Sequence, residues 1–295
     1  STIVGGLSSC VTGRFNFIGS GTQNYISNTE GTAVVGGTKN RTEADNAFIG
    51  GGCCNIVDSS SCSSFVGSGC QNQLTSAADS ILLGGASNCI ASSSKSFIGG
   101  GNANCVSSAA GSVIVGGASN RTLAACAAVV GGSGNKACVA LAAVVGGKDN
   151  IANAGCAFVG GGNSNTAVGN HGFVGGGDTN KACTCAAVAG GQANFALSAH
   201  SFVGGGATNC AGGSCGVIVG GFTNTLSGAH AFIGGGHNNV ICASHHNSQI
   251  LGSQITTVSA NMLHAQRLSL SGIPTANPGV AGVVWNDSGT LKIVT

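Results

Sequence analysis

The sequence predicts an all-β chain: a parallel β-solenoid of about sixteen coils of 15–16 residues, assembled as a homotrimer and closed by a small C-terminal β cap. Three observations predict it. Asparagines recur from Asn24 to Asn239 at spacings of 14 to 17 residues, each after a Gly-Gly or Gly-x-Gly run. Six residues before each Asn stands a branched aliphatic side chain, from Ile18 to Ile233. Seven and five residues before it, two further columns trade volume with each other.

The elements follow in chain order. Ile3-Val4-Gly5-Gly6, with Ser9 in the Asn slot, reads as a worn first copy, and Ile250-Leu251-Gly252-Ser253 as a worn last one. Between them each unit is a short strand, a glycine corner, the Asn, and a second short strand. That second strand carries Ile26, Thr42, Val57, Leu74, Ile90 and their successors two residues after the Asn. β-branched residues punctuated by glycine suit two brief strands per coil, and no 3.6-residue period appears. The repeat domain spans 1–254 and the cap 255–295. In the cap, Val283-Val284-Trp285, a turn at Asn286-Asp-Ser-Gly289 and Leu291-Lys-Ile-Val294 read as a hairpin.

The trading columns predict assembly. Phe158, Phe173, Phe202 and Phe232 each precede a glycine two residues on, whereas Ala128 and Val217 precede Val130 and Val219. Constant volume per coil is how close-packed interiors behave. Both strand faces are therefore expected to be covered, the outer one by two more copies around a threefold axis.

Composition excludes other classes. With 54 glycines but two prolines and no G-X-Y period, collagen is out, and 42% hydrophobic residues at net charge +2 argue against disorder. No apolar run approaches the ~18 residues of a membrane span, so no membrane insertion is expected. Near-neutral charge gives nucleic acid no reason to bind. The chain opens at Ser1 with no secretory signal, which implies a processed or trimmed start. Eight acids and ten bases are few for an enzyme. Glu43 and Asp45, the one close carboxylate pair, read as a solvated loop, so no catalysis is expected. The glycine runs precede turns rather than helices and are corners, not phosphate loops. No Thr-x-Thr ladder suits ice.

Units such as Ser201-Phe-Val-Gly-Gly-Gly-Ala-Thr-Asn-Cys-Ala211 resemble the head repeats of trimeric autotransporter adhesins and related viral and phage fibre proteins. The resemblance covers residues 1 to about 254 and implies a left-handed β-roll with three chains side by side. The repeats here carry more glycine, and the adhesins' coiled-coil stalk and anchor have no counterpart. Asn277-Pro-Gly-Val-Ala-Gly with Trp285-Asn-Asp-Ser-Gly-Thr-Leu-Lys resembles the closing segment of phage tail fibres. Together these imply a fibre on a virus particle, in contact with other virion proteins. It would be a rigid spacer that also engages a host receptor or glycan; the alternative is a bacterial surface adhesin head. Recognition is expected at turn tips such as Lys148-Asp149, Asp178-Thr179 and His237-Asn238, or at the cap.

One column bears chemistry. Nine residues before the Asn stand Cys126, Leu141, Cys156, His171, Cys185, His200, Cys215 and His230. Facing a threefold axis, His171, His200, His230, Cys185 and Cys215 would stack as rings fit for a transition metal. Packing, with Cys as a small hydrophobe, is the plainer reading, and no other cofactor is expected. Cys89 and Cys105 share a column in adjacent coils at disulfide range, although a reducing compartment favours free thiols. Asn40-Arg-Thr and Asn120-Arg-Thr are glycosylation sequons whose asparagines are expected to serve as turn residues first.

Overall fold

The computed structural model describes residues 1–267 without a break and, beyond them, residues 273–275, 278, 280–281, 284–287 and 290–293. Among the described residues there is no helix, and the chain winds as a parallel β-solenoid of about eighteen turns. One sheet holds 18 strands and the second 16. Between them a third column pairs through single bridges from Leu7 to His237.

The expected count of about sixteen turns is corrected to eighteen. The first sheet begins at Thr2–Ile3 and ends at Leu263–Ala265, which pairs in parallel with Gln249–Leu251. In that last turn His264 stands opposite Ile250, in the slot that is aliphatic in the earlier turns, and no glycine corner follows. The turn therefore lacks the marks by which a repeat is recognised.

The two inward columns are the core. Ile18, Val34 and Ile49 in the first sheet and Ile26, Leu74 and Ile90 in the second are all 0% exposed. Strands pair in register, Ile18 with Val34 and Val34 with Ile49. Each turn from Ile18 to Ile233 thus adds one buried branched aliphatic, worth about 1.5–3 kcal/mol against exposure, and a second inward residue that ranges from Ile and Leu through Ala to Thr42 and Thr122.

The register asparagines form a buried ladder. Asn104 donates from Nδ2 to the carbonyls of Gly100 and Gly117, both at 2.9 Å, and its Oδ1 accepts the Asn120 N–H at 3.0 Å. Asparagine suits this slot because one side chain both donates twice and accepts once. The residue before each Asn carries the turn: Lys39, Ala103 and Ser119 have φ of 56°, 54° and 57°.

Those left-handed corners also reverse the stitching. Strand N–H groups donate onward to the next turn, as Val115 does to Val129 O at 3.1 Å. Corner N–H groups donate backward, as Ala103 does to Ala86 O at 2.9 Å. The glycine three residues before each Asn is required by close approach. At Gly117, φ is 91° and a Cβ would stand 2.2 Å from the Gly132 carbonyl.

In the C-terminal segment Val284–Asp287 and Thr290–Ile293 form an antiparallel pair, with Asp287 opposite Thr290. The strands reach further into the expected turn than the sequence implied. Of that turn, 288 and 289 lie outside the described residues, as do Val283 and Val294.

Candidate interaction face

Only one side of the solenoid is uniformly apolar. The outward residues of the first sheet, from Phe17 to Gly234, are all Phe, Val, Ile, Leu, Ala or Gly. Many stay half exposed: Phe173 is 42%, Leu83 48% and Val115 49% accessible. The second sheet's outward column instead mixes Arg41, Gln73, Arg121, Lys136 and Lys181 with apolar residues, and the bridge column carries Lys148, Asn163 and Asp178. Fifteen turns at ~4.8 Å make the apolar stripe on the order of 70 Å long, beyond what single soluble chains usually leave bare.

Phenylalanine and glycine pair for a local reason. At Gly19 a Cβ would stand 3.3 Å from Phe17 Cε1 and 2.3 Å from the Val35 carbonyl; at Gly204 the matching distances are 3.4 Å to Phe202 Cε1 and 2.3 Å to Val219 O. The ring lies along its own coil over the glycine. The volume trade thus has a cause within one chain, and the feature that looks outward is the uninterrupted apolar surface. Rings in successive turns stack, Phe48 on Phe65 with centroids 5.0 Å apart and Phe158 on Phe173 at 5.4 Å. Phe202 stands singly between Ala187 and Val217, and Phe232 between Val217 and Gln249.

No protein-family model matches the chain, and no curated protein matches it significantly. The surface itself therefore carries the functional argument.

The Cys/His column lies at the other left-handed corner. Cys126, Leu141, Cys156, His171, Cys185, His200, Cys215 and His230 have φ between 52° and 62° and are exposed. All of these but His200 donate their N–H groups backward, His171 to Gly155 O at 3.0 Å and His230 to Ser214 O at 2.9 Å. They run as a line, and among the described residues no three His, Cys, Asp or Glu side chains converge to hold a metal. A ring of His171, His200, His230, Cys185 or Cys215 needs copies of the chain.

Glu43 accepts hydrogen bonds from Arg41, and Asp45 Oδ1 accepts the Glu30 N–H at 2.8 Å. Both carboxylates are engaged in structural bonds. Asn40 and Asn120 are 0% exposed, so neither sequon is accessible in the folded chain. The turn tips Lys148-Asp149 and His237-Asn238 are exposed, and Asp178 accepts from Asn163 Nδ2 at 2.8 Å and Gln192 Nε2 at 3.3 Å. These amide donors hold the Asp178 carboxyl below its ordinary range.

Proposed function

We propose that this chain is a structural fibre subunit. Three copies pack their apolar first-sheet faces around a threefold axis into a left-handed β-roll rod on a virus particle. About eighteen turns at ~4.8 Å give a rod of roughly 85 Å, a rigid spacer that places its exposed corners and C-terminal segment at a host surface. The observation that carries the reading is the apolar stripe: an unbroken run without one polar side chain from Phe17 to Gly234, on a chain whose other faces bear its charges. Covering it with copies of itself is the closed solution for a surface that repeats every turn. The likeness of Asn277–Gly282 and Trp285–Lys292 to tail-fibre endings favours a particle over a cell surface.

Light scattering on the purified chain tests the assembly, with an expected mass of three times 28.1 kDa. Phe202→Asp places an unpaired charge in the stripe and should release monomers that keep their β spectrum. A stable 28.1 kDa species from the unaltered chain would overturn the trimer. Immunogold labelling tests the location: gold on particles supports the fibre, and gold confined to bacterial envelopes replaces it with the adhesin head.

A further inference from the structure

We propose that Cys89 and Cys105 form a reversible dithiol–disulfide site that exchanges with low-molecular-weight disulfides of the glutathione class. The two face each other directly in parallel strands Cys89–Ala91 and Cys105–Ser107, both half-buried on the outer face of the second sheet. Gln73 precedes them in the same ladder, and Arg121 follows, with Lys136 one turn further. The site lies away from the apolar stripe, and it does not depend on the fibre reading.

Fifteen free thiols populate the described structure, yet only two pairs occupy one column in consecutive turns. The other pair is Cys53 and Cys70, joined by a single bridge. There Cys53 Sγ lies 3.3 Å from Cys54 Sγ, and Ala86 follows in the ladder where the Cys105 ladder has Arg121. The contrast shows in the thiols. A hydrogen bond with Cys53 and burial push Cys54 up. Cys105, accepting the S–H of Cys89 with the Arg121 guanidinium beyond it, is brought down to about 6, while Cys89 is pushed up as the donor. One member is a thiolate at neutral pH and the other holds its proton, which is the division of labour that thiol exchange uses.

The chemistry balances with the small disulfide as oxidant. Cys105 thiolate attacks one sulfur of RSSR, forms Cys105–S–SR and releases RS⁻, which takes a proton from water. Cys89 then gives up its proton and attacks the Cys105 sulfur. That closes the Cys89–Cys105 bond and expels the second RS⁻. Two electrons leave the protein, the Cys89 proton passes to the second RS⁻, and RSSR becomes two RSH, the other proton having come from water. Adjacent parallel strands sit ~4.8 Å apart, inside the ~4.4–6.8 Å Cα separation that disulfides span, so the bond can close with little movement of the turns. Its half-exposed position on the outer face leaves it open to reduction by a small thiol.

The test exposes the pre-reduced full chain to oxidised glutathione at pH 6 and pH 8, followed by acid quench and peptide mapping. Thiolate fraction set against the lower nucleophilicity of an acidic thiol predicts Cys105 reacting roughly tenfold faster than the other cysteines at pH 6, with less contrast at pH 8. The unaltered chain should accumulate the Cys89–Cys105 disulfide, reversed by dithiothreitol. Cys89→Ser should stop at a glutathione adduct on Cys105, Cys105→Ser should leave Cys89 unreacted, and Arg121→Met should slow the pH 6 reaction severalfold. Equal reactivity of Cys105 and the other thiols at pH 6 in the unaltered chain, or a stable adduct on Cys105 that never passes to Cys89, overturns the proposal.

Discussion

Asn120 Oδ1 accepts the backbone N–H of Asn135 at 3.0 Å, and its Nδ2 donates to Gly116 O at 2.9 Å and Gly132 O at 3.0 Å. The relation repeats from turn to turn. It opens where the Asn24 N–H reaches Ser9 Oγ at 3.3 Å and closes where the Ile255 N–H reaches Asn239 Oδ1 at 3.0 Å. Asn120→Ala leaves the Asn135 N–H and the Gly116 carbonyl without a partner, while the Gly132 carbonyl keeps the Ala118 N–H at 2.9 Å. At about 1 kcal/mol or more for each of these two groups, the turn should lose about 2 kcal/mol. Denaturant melts measure the total, and hydrogen exchange at the Asn135 amide measures the locality, since each repeat answers chiefly to its neighbours. A loss below about 1 kcal/mol would mean that the side chain is a passenger at the corner.

Thr122 points the other way. It occupies the inward column between Val106 and Ala137, is 0% exposed, and its Oγ1 has no hydrogen-bond partner. Thr122→Val keeps the β-branched shape and removes a buried hydroxyl that nothing satisfies. The variant should be about 1–2 kcal/mol more stable. An unchanged or lowered unfolding midpoint would show that the hydroxyl finds a partner.

Much of this is legible in the sequence, because the solenoid writes one constraint per turn. The aliphatic columns at Ile18 and Ile26 repeat in sequence because each turn stacks on the last, and period alone revealed them. The Phe17/Gly19 pairing was visible too, but its cause was not. Volume conservation suggested contact between chains, whereas the ring's lie over its own glycine is a property of local backbone. The sequence presents the asparagines as turn formers, since it marks a corner without saying which residue bends. The bend falls on Ser119 and its equivalents, which share no residue type, while the ladder falls on Asn120. Arg121 beside Cys105 sat in plain view one residue after its own Asn, in the column already noted for its thiols. Period alone does not say that its charge meets a thiol in the neighbouring turn. The turn at Leu263–Ala265 was illegible because His264 broke the pattern that defined the others.

Phe202 and Gly204 should be energetically coupled. Gly204→Val alone drives a branched side chain toward the Val219 carbonyl and the Phe202 ring, and should cost about 2–4 kcal/mol as overpacking. Adding Phe202→Ala recreates the Ala/Val pattern of Ala128 and Val130, which the same sheet already accommodates. The double variant should recover at least about 1 kcal/mol of the summed single losses. Strict additivity in a double-mutant cycle would show that the ring and the glycine are independent choices.

Asp178 ties stability to acid. Its carboxylate accepts from Asn163, Gln192 and Thr179, and these bonds favour the charged form, so its pKa in the fold lies below the ordinary value of 3.8. A group depressed on folding stabilises the fold above its unfolded pKa and loses that contribution as pH falls through the folded one. The melting temperature of the unaltered chain should therefore drop more steeply than that of Asp178→Asn as pH is lowered from about 5 to about 2, and the gap between the two should close. The donors are uncharged amides and a hydroxyl, so added salt should leave the gap at pH 5 almost unchanged, unlike a surface ion pair. Parallel pH profiles for the two proteins, or a gap that collapses in salt, would assign the shift to long-range charge instead of the amide ladder.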